Sequence, residues 1–139
     1  MRLELVTHTT DIEAMIANAV LTTTSKSKPS ALFRQLKNDP ERVAKILGRI
    51  EVQHGSVLDH NRLCWRMEAT DTEVLEVLLR NRFFSFTRLD GSDWLFSSNL
   101  RTAIRYIQEN EGDPFSEALK GSIPRSLMTV LDKIRGKVR

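Results

Sequence analysis

Ile12, Met15, Ile16, Ala19 and Val20 recur at the spacing of one helical face, which predicts a helix entered through Asp11. RLELV (2–6) lies just upstream as a short strand, and THTTD between them is a cluster of turn and cap formers. TTTSKSKPS (22–30) has no apolar period and predicts an exposed loop. Ser30 is expected to cap a short helix packed through Leu32, Phe33 and Leu36. Asp39-Pro40 joins a capping side chain to a proline at the first helical position, and Val43, Ile46, Leu47 and Ile50 make the stripe that follows. HGSVLDH (54–60) reads as a loop.

The second half changes period several times. NRLCWRMEA (61–69) alternates, with Leu63, Trp65 and Met67 on one face, and predicts a strand. Thr70 or Asp71 then starts a helix with Val74, Leu75 and Leu78 expected to face inward. That helix runs into RNRFFSFTRL (80–89), where alternation resumes with Phe84 and Phe86 on one face. Asp90-Gly91 is a tight-turn signal and WLFSS (94–98) returns, so residues 83–98 predict a β-hairpin. Ser98 or Asn99 opens a helix carrying Leu100, Ala103, Ile104 and Ile107. Asp113-Pro114, and Ser122 with Pro124, begin two more, the last packing through Leu127, Val130, Leu131 and Ile134. The expectation is one α+β domain over residues 1–139, with a small, mainly antiparallel sheet and helices packed against it.

Composition narrows the class. The chain has 139 residues, 40% apolar and 28% charged, an ordinary globular balance. Its formal charge of +3 is a mild excess that favours anionic partners slightly. Cys64 is the only cysteine, which excludes an intrachain disulfide and a cysteine-based zinc site; its apolar neighbours predict a buried thiol. No run of about eighteen apolar residues predicts a membrane span, and the N-terminus lacks signal-peptide character, so a cytoplasmic location is expected.

Four constellations could carry chemistry. His54 and His60 bracket Ser56 and Asp59, but a metal would need a third convergent ligand, and a Ser56–His–Asp59 triad asks close neighbours to converge. Arg80 and Arg82 are two apart at a helix–strand junction; in extended geometry both guanidiniums point one way, and an anion between them relieves their repulsion. The plainer reading is two solvated arginines at a helix end. Asn99 and Arg101 open a helix, where an amide, a guanidinium and free N–H groups suit an anion, although Asn99 could simply cap. Phe83, Phe84 and Phe86 beside arginines are similar to base-stacking sheets, but the glycines of that signature are missing, which favours core packing.

In order and spacing, these pieces resemble the flavin-dependent thymidylate synthase family. That family has a loop H-x-S-V-L-E-H, then a strand and a helix ending in R-H-R-x-x-S-x-N-E-x-S-x-R. Here the loop is His54-Gly55-Ser56-Val57-Leu58-Asp59-His60, and the signature begins Arg80-Asn81-Arg82-Phe83-Phe84-Ser85. Asn99-Leu100-Arg101 is similar to the family's N-x-R opening of a late helix, and the resemblance runs to about Tyr106. It implies a homotetramer in which FAD passes a hydride from NADPH while a methylene from methylenetetrahydrofolate converts dUMP to dTMP. It places His54, Ser56, Arg80, Asn81, Arg82, Asn99 and Arg101 at the flavin.

The same resemblance marks departures. The signature's histidine is Asn81, its N-E pair is Thr87 and Arg88, and its last Ser and Arg are Asp90 and Ser92. A glutamine expected before the signature is Val77, and an arginine that crosses between subunits falls at Asn110. Asp90-Gly91 closes directly a hairpin that the family joins through a helical insertion. Asp90 would repel a dUMP phosphate. The expectation is therefore a shortened relative that binds FAD or a related phosphorylated nucleotide. Thymidylate synthesis, with NADPH and methylenetetrahydrofolate, is not expected of this chain alone unless residues such as Arg88 or Arg105 take over dUMP. The alternative is a non-enzymatic module whose Arg62, Arg66, Arg80, Arg82, Arg88, Arg101 and Arg105 bind nucleic acid or a protein.

Overall fold

A computed structural model describes residues 1–50 and 52–135, and side chains outside 51–55 and 131–135. These residues form two compact units, one of residues 1–8 and 62–125 and the other of residues 9–61 with the C-terminal helix from Ser126.

The first unit is built on four antiparallel strands, β1 (Arg2–His8), β2 (Leu63–Glu68), β3 (Ser85–Asp90) and β4 (Asp93–Ser98), in the order β1-β2-β4-β3. The register sets Leu5 opposite Trp65, Trp65 opposite Phe96, and Phe96 opposite Phe86. One apolar row therefore crosses every strand, as period-two alternation requires when one face is buried. Phe96 is its centre: its ring stacks on Trp65 at 4.5 Å and Phe86 at 5.1 Å, and meets Phe84 edge-on at 5.0 Å. In α6 (Pro114–Ser122), Phe115 closes on Phe96 at 5.5 Å and on Tyr106 of α5 (Leu100–Glu109) at 5.4 Å. Ring pairs at these separations add to their area burial.

Helix α4 (Asp71–Arg80) links β2 to β3. Thr70 starts it with a reciprocal capping box: its side chain accepts from Glu73 N–H while Glu73 accepts from Thr70 N–H. The predicted hairpin forms, with Gly91 at φ 51° in its two-residue turn. Arg88 locks that turn, donating to the Gly91 carbonyl at 2.6 Å and to Asp71 at 2.6 Å while lying 4.3 Å above Trp94.

The second unit packs α1 (Ile12–Leu21) against α2 (Pro29–Lys37), α3 (Pro40–Leu47) and a 3-10 helix, Val52–Asp59. Ile12, Ile16, Leu32, Leu36, Val43 and Leu47 are buried. Asp39 caps α3 as expected, accepting from Arg42 N–H. α7 (Arg125–Arg135) brings Leu127 and Val130 into buried positions, and the side chains of Leu131 and Ile134 lie outside the described residues.

Several local expectations change. Asp11 holds the N-cap position at φ 51° but makes no capping bond. Asp tolerates this left-handed conformation, and its carboxylate lies 3.8 Å from Lys37 instead. Ser30 does not cap α2, because Pro29 is already at the first helical position and Lys28 precedes it. HGSVLDH is mostly 3-10 helix rather than loop. Ser122 ends α6 instead of starting α7, and its hydroxyl accepts from Trp65 Nε1 at 2.9 Å. Cys64 is half-buried, since its strand position faces away from the Trp65 row. On α4 the buried residues are Val74 and Val77, while Leu75 and Leu78 point outward.

Candidate functional site

The residues with the strongest chemistry meet where α4 ends and α5 begins. α4 stops at Arg80 because Asn81 turns extended, at φ −150° and ψ 111°. Asn81 Oδ1 then accepts from Phe83 N–H at 2.8 Å, an Asx turn that delivers the chain to β3. Phe84 goes inward to the ring cluster, while Phe83 stays exposed with the Arg82 guanidinium 5.1 Å over its ring. On the other side Asn99 caps α5, its Oδ1 accepting from Thr102 N–H at 2.7 Å. Arg101 and Arg105 are four apart and share a helical face.

Together these elements line a cleft of about 380 Å³ formed by Leu78, Leu79, Arg80, Asn81, Arg82, Phe83, Arg101, Thr102, Arg105 and Glu109. One part of the lining is apolar; the other carries four guanidiniums against one carboxylate. Glu109 engages Arg105, accepting from its Nε at 2.8 Å. Arg80 is anchored by Asp113, which lies outside the lining: Nη1 donates to Asp113 Oδ1 at 2.6 Å. That bond, with a second to Tyr106, raises the Arg80 pKa above the usual arginine range. Asp113 Oδ2 also accepts from Ser116 N–H at 3.2 Å, so the same carboxylate caps α6. Burial pushes the Tyr106 hydroxyl above its ordinary pKa, opposed in part by its hydrogen bond to Arg80.

Of the residues expected at a site, Arg80, Asn81, Arg82 and Arg101 are brought to this cleft. Arg80 and Arg82 reach it from a helix end and a turn, not from the extended geometry their spacing suggested. Asn99 is taken up by its cap. Ser56 is exposed in the 3-10 helix of the other unit, and the side chain of His54 lies outside the described residues. The pairing of Asp113 with Arg80 had no signal in sequence beyond the helix start at Asp113-Pro114; Arg105, expected only as a dUMP contact or part of a nucleic-acid or protein surface, joins the cleft through its four-residue spacing to Arg101. Among the described residues no three His, Cys, Asp or Glu side chains are grouped to hold a metal ion, and no helix is long and apolar enough to cross a membrane.

No family model matches the chain, and no curated protein matches it. Solved structures do. Flavin-dependent thymidylate synthase ThyX from Helicobacter pylori, complexed with FAD and dUMP, superimposes with a TM-score of 0.65 over 100% of both chains at 10% identity. A second structure of ThyX from Helicobacter pylori with FAD and dUMP gives a TM-score of 0.66 at 11% identity, covering 97% of this chain and 100% of that one. This chain has a flavin-dependent thymidylate synthase-like fold. The expected α+β class, with its antiparallel sheet and packed helices, holds with it. At this identity the likeness is one of backbone, and the side chains of the cleft have to be weighed on their own chemistry.

Proposed function

We propose that this chain binds FAD, or a related phosphorylated nucleotide, in the cleft between the end of α4 and the start of α5. The observation that carries the reading is the convergence of Arg80, Arg82, Arg101 and Arg105 on one cleft with Leu78, Leu79 and Phe83 beside them. Guanidiniums suit phosphate oxygens through paired N–H donors, and the apolar side suits a flat ring system. The donor set fits a diphosphate: Arg82 is exposed with its guanidinium over the Phe83 ring, while Asp113 orients Arg80 from outside the lining. Bound FAD would supply hydride chemistry, and the protein would supply charge and position. Asn81 shapes the turn and Asn99 caps the helix beside the cleft; His54 and Ser56 enter the proposal through the family resemblance alone.

The rest of the assignment is a single 1–139 domain acting as a cytoplasmic homo-oligomer. Thymidylate synthesis by this chain alone stands outside it. Arg88, one residue that could have taken over dUMP, is committed to Asp71 and the Gly91 carbonyl, and Asp90 is exposed at the turn. A general nucleic-acid surface has less support, because outside the cleft Arg66 and Arg88 each have a carboxylate partner at 2.6–2.8 Å.

The test is a titration of purified protein with FAD, read by flavin absorbance and fluorescence, with and without dUMP. Saturable binding lost in Arg82→Ala supports the proposal. No binding by correctly folded protein sinks it, and steeply salt-dependent binding of DNA or RNA would favour the nucleic-acid alternative.

A further inference from the structure

Among the described residues that line the cleft, Glu109 alone carries a negative charge. Helix energetics do not account for it. Glu109 is the last residue of α5, where the negative end of the helix dipole disfavours a carboxylate. Its partner Arg105 lies four residues toward the N-terminus, the less stabilising order for such a pair. Both side chains are exposed, so the bond between them contributes little to the fold. A basic residue would serve the end of α5 better, and its last turn has none.

What the carboxylate does change is the charge of the cleft. The four guanidiniums of Arg80, Arg82, Arg101 and Arg105, less the two carboxylates of Glu109 and Asp113, leave a formal surplus of +2. A diphosphate esterified at both ends, as in FAD, carries about two negative charges; a nucleoside triphosphate, with its free terminal phosphate, carries about four. Arg105 donates to Glu109 through Nε, and its Nη groups have no hydrogen-bond partner among the described residues. A ligand phosphate taken up at that edge of Arg105 lies close to the Glu109 carboxylate, which repels each further phosphate charge.

We propose that Glu109 sets the ligand class of the arginine cleft, admitting a diphosphate that bridges two groups and disfavouring a triphosphate or a longer polyanion. This rests on the nucleotide-binding reading above and narrows it. Glu109 acts as a fixed internal anion: it offsets one guanidinium when the cleft is empty and opposes excess ligand charge when it is filled. Four arginines can then share one cleft without making it a general polyanion site.

The experiment measures the dissociation constants of FAD and of ATP, without magnesium, for the wild type, Glu109→Gln and Glu109→Asp. FAD and ATP share their ADP portion, so the change in the ATP-to-FAD ratio between variants isolates the response to added phosphate charge. The wild type should bind FAD more tightly than ATP. Glu109→Gln should tighten ATP about five-fold more than FAD, while Glu109→Asp keeps the wild-type ratio. Tripolyphosphate and pyrophosphate, as competitors of bound FAD, should repeat the pattern. A purely structural role would move both nucleotides together and leave the ratio where it was. A wild type that binds FAD, with a ratio unmoved in Glu109→Gln, would overturn the role of Glu109 and leave the cleft standing. A wild type that binds neither nucleotide would overturn the cleft, and this role with it.

Discussion

Arg80 Nη1 and Asp113 Oδ1 lie 2.6 Å apart, and the other oxygen of the same carboxylate caps α6 through Ser116 N–H. A cleft arginine is thus tied to the start of a helix that covers the sheet. The Arg80 side chain is 45% exposed and that of Asp113 18%, so solvent screens the pair and its contribution to stability is small. The cap is worth about 1 kcal/mol. Asp113→Asn keeps a capping oxygen and should lose only the pair, whereas Asp113→Ala should lose both. Urea denaturation midpoints for the two variants measure the difference, and equal losses would mean that the cap contributes nothing.

Arg82 and Arg88 stand six residues apart in sequence and have opposite employment. Arg88 holds the hairpin turn through Asp71, Gly91 and Trp94, and Arg82 touches the Phe83 ring at the cleft. Arg88→Ala should lower the melting temperature by a few degrees, about what 1 kcal/mol represents in a domain this size, and leave FAD affinity within two-fold. Arg82→Ala should weaken FAD at least ten-fold, roughly the loss of one charge-assisted contact, and melt like the wild type. Paired calorimetry and flavin titrations distinguish them; a reversed pattern would transfer the ligand role to the hairpin.

The phenylalanines divide just as sharply. Phe96, fully buried among four other rings, should cost about 3–5 kcal/mol on truncation to alanine. Phe83→Ala should leave monomer stability nearly unchanged, since that ring is mostly exposed. Chemical denaturation of both variants at protein concentrations that hold the monomer gives the comparison. A costly Phe83→Ala there would mean the ring packs inside the fold.

Tyr106 supplies a pH signature. Burial raises its hydroxyl pKa above the ordinary tyrosine value of 10.0. Between that value and the higher folded one, the unfolded chain gives up the proton first, so folding loses stability as pH rises. This contribution is complete below pH 10 and is lost through the folded pKa. Stability measured from pH 8 to 11 should therefore fall less steeply in Tyr106→Phe than in the wild type; parallel curves would place the hydroxyl in a water-like setting.

How much of this was legible in the chain depends on the range of the force involved. Local patterns of two and 3.6 residues give the strands, most of the helices, the Asp90-Gly91 hairpin turn and the caps at Asp39, Thr70, Asn99 and Asp113, because each rests on neighbours within a few positions. The same locality misplaces Leu75 and Leu78, apolar residues at helical spacing that are expected inward, and Phe83, expected to pack in the hairpin core; only the sheet and its rings decide which side is inward. Sequence also brings Arg80 next to Arg82, and Arg101 four residues from Arg105. That the two pairs face each other across one cleft, and that Asp113 anchors Arg80 from 33 residues away, depends on chain segments meeting in space. Backbone geometry and solvation act locally and can be read in order along the chain. Which charge neutralises which, and which leucine stays wet, is set by contacts that exist only once the sheet has closed.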